Sequence, residues 1–314
     1  MSKAGAKTKG ARKGKYRRDY PHGAPLGEFG VVLPYLLAAT HPPARRAALR
    51  YLGTVMRVFF YWQFAVKWGW KKIPVVPVDH PLDGTVPFRP DRADAYLDFI
   101  CFWLRPFSMM LKALGYSKGM AYCAEFIGLI HKAYAEAARV YGFRMSTTAR
   151  PPCRAPKIRL IRLLDPHYLC VPSLHIAIVV LTFSFYRRVF RTEERHFSGA
   201  LRERYSAELY DGALEIAETV LYVKQHSVNC IPAALYMMTR LAPELFPVGD
   251  AVAFIDRLFE RDEDIAPLDR ERLAAHIHLL FEQLLLESCF GDDWAYPVRR
   301  WLERYGEPSA KPDI

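Results

Sequence analysis

Two histidines of this chain stand beside residues that suit phosphate chemistry. His175 follows Pro172 and Ser173 at the start of a long apolar segment, and His226 follows Lys224 at the end of another. A hydroxyl group and the free backbone N–H groups at a helix start form a ready anion site. An imidazole one turn further along can give or take a proton beside that anion. The pair could therefore enclose a phosphate, with one imidazole attacking phosphorus and the other protonating the leaving oxygen.

The segments between these histidines predict how they are brought together. Apolar periodicity predicts helices over about 171–190 and 200–224, which are joined by the charged run RTEERHFSG. If the chain goes out along one helix and returns along the other, both histidines lie at the same end. A further apolar helix is predicted over about 227–242. A single buried histidine is more often a core residue, but two with phosphate-suited neighbours favour a site.

Most of the remaining chain also has helical patterning, and strand patterning is scarce. The other predicted helices cover 45–72, 94–114, 118–141, 249–262, 268–288 and 293–305. Asp94 is the expected N-cap of the second of these, and Gly115 is its expected end. Proline-rich runs predict loops at 74–90 and 146–157, because proline fixes φ and lacks a backbone donor.

Charge is concentrated at the N-terminus. The net charge is +11, and residues 1–18 contain eight Lys or Arg and no acid. Such a stretch is predicted to be disordered. It can dock on anionic lipid or nucleic acid, or it can be a solvated tail. The six cysteines show no spacing suited to zinc, so they are read as buried thiols and no metal is expected.

Hydropathy leaves the relation to a membrane open. Only 167–186 approaches an uncharged span, and Asp211, Glu215 and Glu218 would be costly in lipid unless they faced inward. Hydropathy alone therefore favours a soluble or peripheral bundle. A cluster of tryptophans and lysines has two interpretations. It can form a belt at a membrane interface, or the tryptophans can be core residues beside the C-terminus of a helix. Its members are Trp62, Trp68, Trp70, Lys67, Lys71 and Lys72.

Two runs of sequence resemble a known family. RLLDPHYLCVPSLHIA resembles the second signature of the phosphatidic acid phosphatase type 2 superfamily. TVLYVKQHSVNC resembles its third signature in the branch that includes inositol phosphorylceramide synthases, and STTARPPCRAP is similar to the Pro/Arg-rich loop of that branch. The resemblance covers about residues 95–245. It implies an all-α helical bundle of the phosphatidic acid phosphatase type 2 and vanadium haloperoxidase kind, working without a metal or another cofactor.

The resemblance also implies roles for single residues. His226 would be the nucleophile that forms a phosphohistidine, and His175 would protonate the leaving group. Arg105, in CFWLRPFSMM, matches the Arg-Pro end of the first signature and would bind phosphate. Ser173 and Lys224 are the other expected phosphate-binding residues.

The chain departs from the family pattern at three positions. Asp98 stands where the family has a lysine, and Val220 where many members have an arginine. Cys230 stands where an aspartate should orient the nucleophilic imidazole, and losing such a partner lowers a rate by orders of magnitude. Asn229 could orient a tautomer without supplying charge. Candidate replacement cations are Lys224, Arg150 and Arg154.

These observations predict a disordered basic tail (1–26), a phosphatase-like helical bundle (27–248) and an amphipathic helical extension (249–314). The expected activity is phosphatase or phosphotransferase chemistry on a lipid-like phosphate ester. The alternative is a catalytically weak family member that acts as a membrane-associated structural or binding protein. A membrane or membrane-associated location is expected, with a cytoplasmic one as the alternative. Nucleic-acid binding is the least favoured class, because only residues 1–18 support it.

Overall fold

Helices make up nearly the whole fold, as the apolar periodicity predicts. The computed structural model describes residues 23–305, and within them the protein is an all-α helical bundle. The helices are α1 (Val32–Thr40), α2 (Pro42–Thr54), α3 (Gln63–Lys67), α4 (Ala93–Leu97), α5 (Phe99–Tyr141), α6 (Pro156–Leu164), α7 (Leu174–Thr192), α8 (Gly199–Tyr222), α9 (Cys230–Leu241), α10 (Val248–Arg257), α11 (Pro267–Ser288) and α12 (Ala295–Tyr305). A π-helical segment, Val55–Trp62, joins α2 to α3. Short 3-10 turns occur at Leu26–Glu28, Pro81–Gly84 and Pro90–Arg92.

The central element is α7, which packs against α5, α8 and α9. Its side chains are buried on nearly all sides along 176–186, as expected for a helix that is apolar all round. This helix lies in the stretch that comes nearest to a hydrophobic span. Even so, none of the helices within residues 23–305 combines the length and apolar character needed to cross a membrane.

The range of α5 contains two helical stretches that meet at Gly115, so the predicted helix end at this residue is confirmed. The helix predicted over 94–114 is interrupted at Asp98, which separates α4 from the first stretch of α5. The path of α5 bends at Gly115, whose backbone angles (φ 78°, ψ 176°) lie outside the helical region. The capping role predicted for Asp94 is wrong. Asp94 lies in the first turn of α4 without a capping bond, and its carboxylate pairs with the Lys157 ammonium at 2.6 Å.

Two helices and a small sheet are additions to the predicted elements. Proline-rich sequence predicts a loop through residue 157, but α6 begins at Pro156, where a missing N–H costs the first helical turn nothing. The short helix α1 was also not predicted. Val75–Pro77 (β1) and Met145–Thr147 (β2) pair in parallel. This pairing joins the two predicted loops beneath the start of α7.

The predicted domain limits do not coincide with breaks in packing. Residues 1–22 of the predicted tail lie outside the described part of the chain. Ala24 and Leu26 are buried, so the ordered bundle begins before residue 27. At the other end, α10 and α11 pack on α9, and α12 packs on α5 and α11. Their buried side chains, such as Phe254 and Phe281, belong to the same core as α7. The helices after residue 248 are therefore part of the bundle.

The bend at Gly115 gives a stability prediction. No heavy atom lies near the position that a Cβ would occupy, so Gly115→Ala meets only backbone strain. We expect that strain to cost about 1–3 kcal/mol. Gly128→Ala is the matched control, because its Cβ also meets open space and its helical backbone suits alanine. We expect the control to stabilise by about 0.5–1 kcal/mol. Urea unfolding checks both, and equal midpoints would contradict the prediction.

Candidate active site

The two histidines meet at one end of the bundle, as the out-and-back path of α7 and α8 predicts. Nε2 of His226 lies 3.3 Å from Nδ1 of His175. The same nitrogen lies 3.2 Å from Oγ of Ser173. The site therefore contains a hydroxyl group and two imidazoles within hydrogen-bonding distance, the combination expected for proton transfer beside an anion.

The start of α7 is fixed on both sides. Ser173 is the N-cap, and its Oγ accepts a hydrogen bond from the backbone N–H of Ile176 at 3.4 Å. Its own backbone N–H donates to the carbonyl of Cys230 at 3.5 Å, which ties α7 to the start of α9. Just before it, the N–H of Val171 donates to Oγ of Ser146 in β2 at 2.8 Å. These bonds place His175 in the first turn of α7, with its ring against His226.

The end of α8 turns sharply to deliver His226. Lys224 adopts a left-handed backbone conformation (φ 55°), which is uncommon for a side chain with a Cβ. The turn lets the N–H groups of Gln225 and His226 both donate to the carbonyl of Val220, at 2.9 and 3.1 Å. Val220 is thus a buried helical residue whose carbonyl closes the turn.

Asp83 holds this turn in place from far along the chain. Its Oδ1 accepts from the N–H of Val228 at 2.8 Å, and its Oδ2 from the N–H of His80 at 2.8 Å. Burial raises the pKa of the Asp83 carboxyl. The ammonium of Lys224 donates to the carbonyls of Asp83, at 2.6 Å, and Val86. Lys224 therefore anchors the 80–86 loop, and the described contacts do not bring its ammonium to the histidines.

Burial keeps both central imidazoles neutral. It lowers the pKa of His175 to about 4. The pKa of His226 lies well below its ordinary value because of burial and of the neighbouring His175 and His167. A neutral imidazole has a free lone pair, which a nucleophile needs. A neutral His226 next to an anion can therefore attack without first losing a proton.

Two aromatic rings cover His175. The ring of Phe99 lies 4.6 Å from that of His175, and the ring of Tyr96 lies 4.8 Å away. Tyr96 belongs to α4 and Phe99 begins α5, so the short break between these helices forms an apolar cover over the imidazole. The two rings contribute to the burial that lowers the pKa of His175.

Two arginines supply positive charge beside His167. Arg150 was a candidate cation from the sequence, but Arg162 was not. After burial, the charges of Arg150 and Arg162 contribute most to lowering the pKa of His167, which His175 lowers further. Arg150 donates to the carbonyl of Asp165 at 3.4 Å. Nε and Nη2 of Arg162 are buried and lack any hydrogen-bond partner among the described residues. Buried guanidinium donors without an acceptor are costly, and a bound anion would satisfy them.

Arg105 is engaged elsewhere. Its guanidinium forms a bidentate pair with the carboxylate of Asp98, the residue that replaces the expected family lysine. Both residues line a surface depression of about 470 Å³ that they share with Glu208 and Glu215 of α8. The described contacts do not bring Arg105 to the histidines, and the acidic surroundings are unsuited to a phosphate.

No carboxylate among the described residues pairs with His226 in place of the aspartate that the motif leads one to expect at position 230. Cys230 is fully buried, and Nδ1 of His226 is buried without a hydrogen-bond partner. The side chain of Asn229 turns away. Its amide donates to the carbonyl of Val78 at 3.1 Å, and its oxygen lies 2.7 Å from Nε2 of His276. The tautomer of His226 is therefore set by the contacts of Nε2.

The two histidines of α11 serve separate contacts. His276 stacks on His80 at 3.9 Å between ring centroids, whereas Nε2 of His278 lies 2.8 Å from the carboxylate of Asp256. They therefore occupy different faces of α11, as their spacing predicts. Among residues 23–305, no group of three or more His, Cys, Asp or Glu side chains is arranged to hold a metal ion.

Comparison with known proteins gives no relative. No family model, no curated protein and no solved structure matches this chain. The resemblance noted above therefore depends on the motif residues themselves, and the chemistry has to be argued from the geometry of the site.

The lowered imidazole pKa of His175 predicts a pH dependence of stability. An unfolded histidine takes up a proton near pH 6.5, whereas folded His175 resists it down to about pH 4. The unfolded state therefore binds more protons in this window, and His175 lowers stability as the pH falls through it. Relative to His175→Gln, we expect wild type to lose about 2 kcal/mol of unfolding free energy between pH 7 and pH 5.

Urea unfolding of both proteins at several pH values measures this difference. The buried carboxyl groups of Asp83, Asp165 and Glu218 have raised pKa values and also titrate on folding. They are present in both proteins, so their effects cancel in the comparison. Parallel pH curves for the two proteins would show that the His175 ring is not buried in this way.

Proposed function

We propose that this protein is a phosphatase or phosphotransferase that acts on a lipid-like phosphate ester through a phosphohistidine at His226. The observation that carries the proposal is the meeting of His226 Nε2 with His175 Nδ1 and Ser173 Oγ, at 3.3 and 3.2 Å. An imidazole nucleophile, an imidazole acid and a helix N-terminus with its capping hydroxyl then lie at one point. The motif resemblance assigns the same roles to the same residues.

The first step transfers the phosphoryl group to the protein. The phosphate enters between the two rings and replaces their direct contact. The lone pair on Nε2 of His226 forms a bond to phosphorus while the ester P–O bond breaks. His175 donates a proton to the leaving oxygen, which departs as an alcohol. Binding of the phosphate anion raises the pKa of the adjacent His175, so that it can carry this proton.

The second step releases the phosphoryl group. Neutral His175 accepts a proton from water or from an acceptor hydroxyl, whose oxygen attacks phosphorus. The N–P bond breaks, and His226 regains its lone pair. Water as acceptor gives free phosphate, and an alcohol gives a new phosphate ester. Both outcomes use the same residues, so the identity of the acceptor separates hydrolysis from transfer.

The cationic side of the site suggests which groups hold the phosphate. Arg162 has two buried donor atoms without an acceptor in residues 23–305, and Arg150 lies close enough to influence His167. A guanidinium matches the geometry of phosphate oxygens. We therefore assign phosphate binding to Arg162, Arg150 and Ser173. Lys224 and Arg105, which the motifs favour, have other partners.

Trapping of a phosphoenzyme tests the nucleophile. Purified protein is incubated with ³²P-labelled dioctanoyl phosphatidic acid, quenched in alkali and examined for an alkali-stable, acid-labile adduct. We expect the adduct in wild type and its loss in His226→Ala, with turnover lowered by roughly 10³-fold or more. His278→Ala is the control, since that ring pairs with Asp256 and is not among the contacts of His226. Equal turnover in His226→Ala and wild type would refute the proposal.

A second function is favoured by one observation: among the described residues, no carboxylate pairs with Nδ1 of His226. Without a carboxylate at position 230, the imidazolium formed during catalysis gains no charge stabilisation. The protein would then be a catalytically weak family member that binds its ligand and acts as a membrane-associated structural or binding protein.

Restoring the carboxylate distinguishes these functions. If the rest of the machinery is intact, we expect Cys230→Asp to raise turnover by at least tenfold, because it orients and stabilises the His226 ring. Cys230→Asn is the matched control, since it has nearly the same shape without the charge. Initial rates are measured for both variants, with thermal melts to verify folding. No gain in Cys230→Asp would favour the binding function.

A further inference from the structure

The first helices of the bundle combine exposed apolar side chains with an unbroken excess of positive charge. Residues 29–78 contain seven Lys or Arg and no Asp or Glu. This stretch covers α1, α2, the π-helical segment, α3 and β1. Elsewhere on the described surface acids and bases are interspersed, as in the ion pairs of α8 and α10–α12. The one-sided charge marks this part of the surface for an anionic partner.

The exposed side chains of α1 and α2 are apolar to an unusual extent. On α1, Val32 is 65% exposed and Leu36 is 64% exposed. On α2 and the segment after it, Leu49, Leu52 and Met56 are 63%, 54% and 59% exposed, and their spacing puts them on one stripe. Exposed arginines flank this stripe at positions 45, 46, 50 and 57. An apolar stripe edged with cations is the pattern of a helix that lies in a membrane interface.

This surface continues to the cover of the active site. Tyr35 of α1 is half exposed and lies near Cys101 in the first turn of α5. In the same region, Leu97 and Ile100 are 43% and 52% exposed. In the sequence, Leu97 directly follows Tyr96 and Ile100 directly follows Phe99, the two residues whose rings cover His175. The apolar surface of α1 therefore extends to the aromatic cover of the imidazole.

The helix α6 adds to this surface on the other side of the cover. Its Leu160, Leu163 and Leu164 are 49%, 70% and 53% exposed. The ion pair between Lys157 and Asp94 holds α6 beside α4. We call the exposed apolar residues of α1, α2, the start of α5 and α6 the apolar face.

Two exposed tryptophans lie within the acid-free basic stretch 29–78. Trp68 and Trp70 follow α3 and are 55% and 71% exposed, with their rings 4.8 Å apart. Lys67 and Lys72 are exposed next to them. Tryptophan and lysine together are typical of the headgroup level of a bilayer, where one end of the ring is apolar and the other is wet.

We propose that the apolar face docks on an anionic phospholipid bilayer and lies in its interface. The exposed leucines of the apolar face insert among the headgroups. Trp68 and Trp70, which follow α3 at the end of the same run of helices, lie at the headgroup level, and the cations bind lipid phosphates. A second copy of this chain fits the face less well, because a two-fold contact would set the same acid-free group of cations against itself. The proposal does not depend on catalysis. If the proposed function also holds, the cover of His175 lies at the lipid surface, where a lipid substrate would approach.

Vesicle binding of the full chain tests the proposal. The protein is sedimented with phosphatidylcholine vesicles and with vesicles that contain 30% phosphatidylserine, in low salt and in 0.5 M salt. We expect binding to the anionic vesicles, with part of it surviving high salt because apolar insertion is not screened. The test variant carries Leu49→Ser, Leu52→Ser and Met56→Ser, and we expect it to bind at least tenfold more weakly.

A matched control keeps the result specific. Leu268, Leu279 and Leu286 of α11 are 56%, 66% and 68% exposed, so the triple change to serine removes similar apolar surface from another face. We expect the control to bind as wild type does. Equal loss in both triples, or no loss in the test triple, would overturn the proposal. The second result would leave the basic N-terminal residues as the source of binding.

Tryptophan quenching provides an independent measurement on the folded wild type. Brominated phosphatidylcholine quenches indole rings that enter the bilayer, and we expect quenching in wild type that is mostly lost in the Trp68→Phe, Trp70→Phe double variant. No quenching in wild type would overturn the proposal. Light scattering of the lipid-free protein tests whether a second copy of the chain occupies the apolar face instead. A dimer that the test triple converts to a monomer would show that a second copy occupies the face.

Discussion

The fold depends on the joint between the start of α7 and the end of α8. Both termini carry polar side chains into an apolar core, where Ser173, His175 and Nε2 of His226 contact one another. Ser173 contacts His226 at 3.2 Å, and its backbone N–H reaches the carbonyl of Cys230 at 3.5 Å. Buried polar groups are stable only when they are paired. Ser173 caps α7 and also contacts His226 and the backbone of Cys230. These contacts fix the start of α7 relative to the end of α8 and the start of α9.

Elements remote in sequence hold this joint rigid. The 80–86 loop supplies Asp83, which is 145 residues before Val228 and accepts its N–H. From the other side, His276 of α11 and Tyr305 of α12 contact Asn229. The turn that carries His226 is thus supported by the loop after β1 and by the last helices. This explains why the helices after residue 248 share the core, since their apolar faces cover the start of α9 and their polar groups satisfy Asn229.

The sequence predicts the parts of the structure that local patterns determine. The apolar periods on either side of the charged turn after α7, together with Ser173 as a cap, are enough to place His175 and His226 at one end. Helices α1 and α6 were missed for a local reason, because proline-rich or short apolar stretches resemble loops. Asp83, His167 and Arg162 were missed for a different reason. Their partners are set by how β1, β2 and α6 fold over the site, and no spacing within a single element reveals that.

The pairing of Asp98 with Arg105 shows how one carboxylate decides which cations remain available to an anion. A lysine at position 98 would repel Arg105 and leave both cations available to an anion. An aspartate there instead neutralises the guanidinium in a bidentate pair. The charges of Arg150 and Arg162, which lie in the run that joins β2 to α7, act on His167, the neighbour of His226. Because α6 carries both Arg162 and the exposed Leu163, the same short helix brings together an apolar surface and a guanidinium whose buried donors have no partner among the described residues. Such an arrangement suits a molecule with a charged head and an apolar chain, since each part meets its own kind of surface.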